Sequence, residues 1–208
     1  LDVLALLEAR READGSIRVT PEDRFVAVGE RDGSAEILER GERDFLYLNQ
    51  GGGHFAPISW TQGTFLDEDG RKLDAPPTDW GLSALFRDLN GDGWPDLYVC
   101  NDFEDPDQFW LNDGAGGFQL VPESALSATS NTCMSVDFGD VNRDGAVDLF
   151  TADMLSPTLA AQQTEIPTHT PLPKGIGRGG ARPQWMRNML HVARGDGTWA
   201  QIADYAGV

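Results

Sequence analysis

Hydrophobic positions along this chain recur mostly at every second residue, in short runs. Leu82, Ala84 and Phe86 alternate through 82–87, and Met134, Val136 and Phe138 do the same through 134–139. A period of two over such lengths marks a strand with one buried face. Leu97–Cys100 and Leu149–Ala152 are short apolar runs that read as further strands. The start differs: over residues 2–13, Leu4, Leu7 and Ala9 set against Glu8, Arg10 and Arg11 predict a short helix.

Between the paired runs lie two matching loops. Asp88-Leu89-Asn90-Gly91-Asp92-Gly93-Trp94-Pro95-Asp96 and Asp140-Val141-Asn142-Arg143-Asp144-Gly145-Ala146-Val147-Asp148 both read D-x-N-x-D-G-x-x-D. They start 52 residues apart, at Asp88 and Asp140, a spacing that points to a repeat architecture. A second pattern, G-x-G-x-aromatic, occurs at Gly51–Phe55, Gly114–Phe118 and Gly195–Trp199, each time after an apolar run. Two glycines supply positive φ for a tight hairpin, and the aromatic residue opens the returning strand. Each unit is therefore strand, acidic loop, strand, strand, glycine turn, strand.

Four-stranded antiparallel units in series predict an all-β fold made of β-propeller blades. Residues 1–65 read as an N-terminal segment and partial blade. Residues 66–130 are a blade with the first loop. Residues 131–208 are a blade with the second loop and an inserted Pro/Gly-rich loop at about 155–185. Two blades and a part are fewer than the roughly 4–8 of a closed ring, so a partial propeller, a fragment of a larger one, is expected. Its end blades should expose unpaired edges and apolar faces. In the N-terminal part, 28–36 resembles the acidic loop but lacks its leading Asp.

Composition narrows the function. The 208 residues carry 16 Lys+Arg against 34 Asp+Glu, a formal charge of −18. Such a chain repels phosphate backbones, which argues against nucleic acid as a partner. No apolar run approaches the ~18 residues of a membrane span. The opening stretch has an early Asp2 and no basic region before its apolar residues, so a signal peptide is not expected within the chain. It starts on Leu1, and a true N-terminus is expected upstream. Cys100 and Cys133 match neither a disulfide-dense scaffold nor a zinc site; their spacing leaves open whether they pair.

Part of the negative charge sits in the loops, where three carboxylates within nine residues repel one another unless a cation lies among them. Ca²⁺ takes about 6–8 oxygen ligands in flexible geometry. Asp88, Asn90, Asp92 and Asp96, with the Trp94 carbonyl, form one candidate set. Asp140, Asn142, Asp144 and Asp148, with the Ala146 carbonyl, form the other. Two Ca²⁺ sites are expected; zinc is disfavoured because neither loop contains Cys or His. The bland alternative is an Asp/Asn/Gly-rich turn that binds nothing. An EF-hand needs an acidic residue at the twelfth position, where these loops have Val99 and Thr151 inside strand-like runs.

The loops, Phe86–Gly93 and the segment Asn188–Trp199 resemble FG-GAP/VCBS repeats, the blades of integrin-α-type propellers. The ending Ile202–Val208 and the insertion after Asp153-Met154-Leu155 resemble, more narrowly, the bacterial relatives of cartilage acidic protein, whose propeller is often followed by an ASPIC/UnbV domain. The resemblance implies an extracellular, periplasmic or cell-surface propeller that binds Ca²⁺ structurally and recognises a protein or glycan. Enzymatic function is not expected: His54, His169 and His191 lie near no nucleophile motif. A propeller-type polysaccharide lyase is the alternative. Arg194-Gly195-Asp196 overlays a glycine turn that recurs twice without it, so chance explains the tripeptide. Of the tryptophans, Trp110 and Trp199 are expected to pack, and Trp94 to be partly exposed.

Overall fold

A computed structural model describes residues 7–22, 24–31, 33–103, 105–154 and 182–208. Most of the expected insertion, with His169, lies outside the described residues, as does Asp32.

The chain begins with three two-stranded hairpins. β1 (Glu8–Arg11) pairs with β2 (Ile17–Thr20), β3 (Phe25–Arg31) with β4 (Ser34–Glu39), and β5 (Tyr47–Gly51) with β6 (His54–Pro57). The helix expected over 2–13 is corrected here: residues 8–11 are a strand, with Ala9 opposite Val19 and Arg11 opposite Ile17. Local turn chemistry wins. Gly15 takes φ 87°, the Asp14 carboxylate accepts from the Ser16 N–H, and Glu12 N–H bonds Ser16 O at 2.8 Å. So short a helix has little stability in water without tertiary packing. The segment 28–36 is likewise no wrapped loop. Arg31 pairs directly with Ser34, so β3 and β4 form a hairpin.

The first blade contains β7 (Phe65–Leu66), β8 (Trp80–Arg87), β9 (Asp96–Asp102), β10 (Gln108–Asn112) and β11 (Phe118–Leu120), in the order β7-β11-β10-β9-β8. All neighbours are antiparallel except β7 and β11, which run parallel with Phe65 opposite Phe118. After β12 (Thr129–Ser130), the second blade is β13 (Cys133–Gly139), β14 (Asp148–Asp153), β16 (Met189–Ala193) and β17 (Trp199–Gln201), in sequential order. β15 (Gln184–Trp185) pairs in parallel with β12. The one-turn helix α1 (Ala203–Ala206) ends at Gly207, whose φ of 74° is the left-handed cap. The all-β fold and the four-stranded antiparallel unit are as the alternation predicts.

The two blades repeat even at their outer edge. Phe118 N–H bonds Thr64 O at 2.7 Å, and Trp199 N–H bonds Ala125 O at 2.9 Å. The aromatic residue after each glycine turn is thus held by a carbonyl from an upstream segment.

β9 is buried at all seven positions, because both of its faces are covered. On one side Leu97 and Val99 meet Trp60, Phe65, Trp110 and Phe118. On the other, Tyr98 and Cys100 meet Phe109, Cys133, Val136, Leu149 and Trp199, a core shared by the two blades. Phe109 and Trp199 join across it edge to face, with centroids 4.9 Å apart. By contrast β8, the edge strand, exposes Leu82, Leu85 and Phe86, and the β5–β6 hairpin with its lead-in exposes Phe45, Tyr47, Leu48 and Phe55. These are the open edges expected of an incomplete ring.

Candidate metal-binding loops

Each acidic loop joins the first two long strands of its blade. Arg87 pairs with Asp96 at the base of one loop, and Gly139 with Asp148 at the base of the other. The chain must turn sharply in between, which Gly93 and Gly145 allow, both at φ 91°.

The two loops fold on the same hydrogen bonds. Asp88 accepts from the N–H groups of Gly91 and Asp92 on Oδ1 and from Gly93 on Oδ2, at 2.8–3.1 Å. Asp140 accepts from Asp144 and Gly145, both at 3.0 Å. The Asn90 amide accepts from Asp92 N–H and donates to Asp92 Oδ2, and Asn142 does the same with Asp144. Trp94 N–H and Ala146 N–H close the pattern on Asp92 and Asp144 at 2.8 Å. These bonds hold the Asp144 carboxyl below its ordinary range, the Ala146 N–H first and the Asn142 amide next.

The last acid of each loop behaves differently. Asp96 is 0% exposed; its Oδ2 accepts from Leu89 N–H and its Oδ1 from Asn112 N–H, both at 2.9 Å. Asp148 repeats this with Val141 N–H and Ala193 N–H, also at 2.9 Å. Each clamps its loop to the third strand of the blade. Burial pushes the Asp96 carboxyl up, and the two backbone N–H bonds oppose that shift. The predicted ligand sets thus divide. Asp88, Asn90, Asp92, Asp140, Asn142 and Asp144 form solvent-facing networks, and Asp96 and Asp148 are buried beneath them. Among the described residues no Arg or Lys forms an ion pair with a loop carboxylate.

Trp94 is 52% exposed and its indole lies against the glycine turn of its own blade. A Cβ added at Gly114 would sit 2.5 Å from Trp94 Nε1. The second blade has Ala146 in place of Trp94, and the equivalent Gly195 has open space around it. Both glycines take positive φ, 71° and 75°. Gly195→Ala should therefore cost only the backbone term of about 1–2 kcal/mol. Gly114→Ala should cost more, by about 1–3 kcal/mol of overpacking. Urea unfolding of both, repeated with Trp94→Ala, should remove the difference; a difference that persists would place its cause elsewhere.

The structure also gathers polar groups that no spacing pattern indicates. Cys100, Asp107 and Cys133 place one ligand atom each within 4.8 Å of one another, all buried. Asp107 accepts from Tyr98 O–H at 2.8 Å and Asn101 N–H at 2.9 Å, and desolvation pushes its carboxyl up to about 7. Asp79, buried nearby, accepts from the Asn101 and Gln108 amides. Its carboxyl is pushed well up by burial and then by Asp44. The acid-rich run 102–107 is the only trace of this network in the sequence. His191 is a packing residue: fully buried, with Nε2 3.0 Å from Ala128 O, and held down at about 4 by desolvation. In the Arg194-Gly195-Asp196 turn, the Asp196 carboxylate accepts from Thr198 N–H and Oγ1–H.

Residues 88–151 match the family model of an FG-GAP-like repeat. The match runs from the first residue of one acidic loop, through β9 to β13 and the second loop, into β14. No curated protein matches the chain. Among the described residues, no helix is long and apolar enough to cross a membrane.

Proposed function

We propose that this chain is a calcium-stabilised segment of an FG-GAP-type propeller that acts outside the cytosol as a rigid binding scaffold for a protein or glycan. The observation that supports this most is the duplication of one loop architecture, sharing all but the Gly91–Asp88 hydrogen bond, at the same strand turn of two successive blades. The donors fit the ion. They are oxygen atoms throughout, which suits Ca²⁺ and disfavours Zn²⁺. Asp88, Asn90, Asp92 and Asp96, with the Trp94 carbonyl, would hold one Ca²⁺. Asp140, Asn142, Asp144 and Asp148, with the Ala146 carbonyl, would hold the other.

Calcium would neutralise the crowded carboxylates. The chain's own residues do the rest: Asp96 and Asp148 pin each loop to its blade, and Asp88 and Asp140 hold the loop's N–H groups. The turn between the first two strands is thereby kept rigid for a partner. Kinship with bacterial relatives of cartilage acidic protein belongs to this proposal and rests on the 202–208 ending and the insertion after Leu155. The proposed role is non-enzymatic, in keeping with a His191 locked on a backbone carbonyl.

Thermal melts in EDTA and in millimolar Ca²⁺ test it. At ten times Kd, each site should add about 1.4 kcal/mol. Asp92→Ala and Asp144→Ala should each remove one site's share, and calorimetric titration should count two ions in the wild type. A melting temperature that ignores Ca²⁺ in all three proteins would sink the proposal. A glycan array read for retention and for unsaturated products separates scaffold from lyase.

A further inference from the structure

Two cysteines occur in the chain, and the fold puts one on each blade. Cys100 lies in β9 and Cys133 opens β13, 33 residues later. Both are fully buried in the core shared by the blades. Their sulfurs lie within 4.8 Å of each other and are at present thiols.

A register shift aims Cys133 there, and the regular alternation of β9 aims Cys100. β13 shifts register between Cys133 and Ser135, so Cys133 and Val136 both face the inter-blade core while Met134 and Ser135 face outward. β8 shifts register between Gly81 and Ser83, beside the pair Ser83–Cys100. A bulge of this kind re-aims a side chain. In β13 it turns Cys133 inward, and Cys100 shares its face of β9 with Tyr98.

We propose that Cys100 and Cys133 form a disulfide that staples the two blades together when the protein matures in an oxidising compartment. A disulfide needs sulfurs about 2.05 Å apart, so each Sγ swings toward the other about its Cα–Cβ bond. The reaction is thiol–disulfide exchange with an external disulfide oxidant. One cysteine thiolate displaces a sulfur of the oxidant to form a mixed disulfide. The second cysteine thiolate then displaces the other sulfur. Two S–H bonds and the oxidant's S–S bond break, the Cys100–Cys133 bond forms, and the oxidant leaves as two thiols carrying both protons. Because both residues are sealed in the core, exchange takes place before the blades pack.

A metal is the competing use of this cluster. It is disfavoured because Cys100, Asp107 and Cys133 supply three donors where a closed zinc site needs four. Asp107 accepts from Asn101 and Tyr98 as well. Those two bonds keep Asp107 satisfied once the thiols are gone.

The staple is independent of calcium, so the test is run in EDTA. The full chain is refolded with reduced and oxidised glutathione, denatured without reductant, and assayed for thiols and intact mass. The expected result is a monomer with no titratable thiol, two hydrogens lighter than the reduced chain, with the 100 and 133 peptides linked. Reduction should lower its Tm by several degrees and leave the Tm of Cys100→Ser unmoved. Two free thiols after full oxidation, disulfides only between chains, or a native mass carrying a metal on both thiols would overturn the proposal. The wild-type thiol assay decides even if the serine variant fails to fold.

Discussion

Asp96→Ala is expected to cost about 3–5 kcal/mol of stability in calcium-free buffer, from two charge-assisted bonds to backbone N–H groups, one buried and one half-buried. The Leu89 and Asn112 N–H groups would lose their acceptor where water does not replace it. Asp148→Ala should cost as much, through Val141 and Ala193. Asp92→Ala and Asp144→Ala should leave the urea midpoint almost unmoved in EDTA, because both side chains face solvent. With Ca²⁺ present, loss of one proposed ion would add the same about 1.4 kcal/mol to each of the four, so the order stays but Asp92→Ala and Asp144→Ala become measurable. Asp96→Asn keeps one acceptor and turns an amide NH₂ toward the other N–H, so it should fall between wild type and Ala. Equal loss from Asp92→Ala and Asp96→Ala in EDTA would contradict the clamp.

Two single substitutions should shift the pH dependence of stability in opposite senses relative to the wild type. Asp107 has its folded pKa raised to about 7, so the folded state binds the proton more tightly than the unfolded one. Its contribution is complete below the unfolded value near 3.8 and is lost as pH rises through 7. His191 has its folded pKa depressed to about 4, so the unfolded state binds the proton more tightly. Its contribution is complete above about 6.5 and is lost as pH falls through 4. In the wild type the two slopes oppose each other. In Asp107→Asn the falling carboxylate contribution is removed, so stability relative to the wild type should climb by about 4 kcal/mol from pH 4 to 7. In His191→Gln the carboxylate should dominate, with stability falling about 4 kcal/mol from pH 4 to 7. The raised pKa of Asp79 acts in the same sense as Asp107. Denaturant unfolding across this range in EDTA checks both signs; parallel slopes in the two variants would refute the assignment.

Much of the fold was legible because its signals are local. Alternation at 82–86 and 134–138 located β8 and β13, and the glycine pairs located the hairpins at Gly114 and Gly195. The acidic loops were legible as a duplicated motif, but the division of labour inside them was not. Nothing in D-x-N-x-D-G-x-x-D says that its last acid is buried on a neighbouring strand, because Asn112 and Ala193 lie 16 and 45 residues further on. The start was misread as helix because Leu4, Leu7 and Ala9 suit a helical face. The turn at Asp14-Gly15-Ser16 and the partner strand decide otherwise. The closeness of Cys100 to Cys133 and the placing of Asp107 depend on how two sheets pack, which no periodicity within one strand records. Two-residue strands such as Phe65–Leu66 are too short to show a period at all.

That last pair has a practical bearing on where the protein can be cut. Phe65 is hydrogen-bonded beside Phe118, and Leu126 beside Trp199, so each repeat borrows its rim from chain made earlier in synthesis. The borders of the first blade therefore run from about Trp60 to 120, and those of the next from 125 to 201, rather than from the first long strand of each. A graft that begins at Trp80 would leave its border on the donor; one that begins at Trp60 carries the border with it.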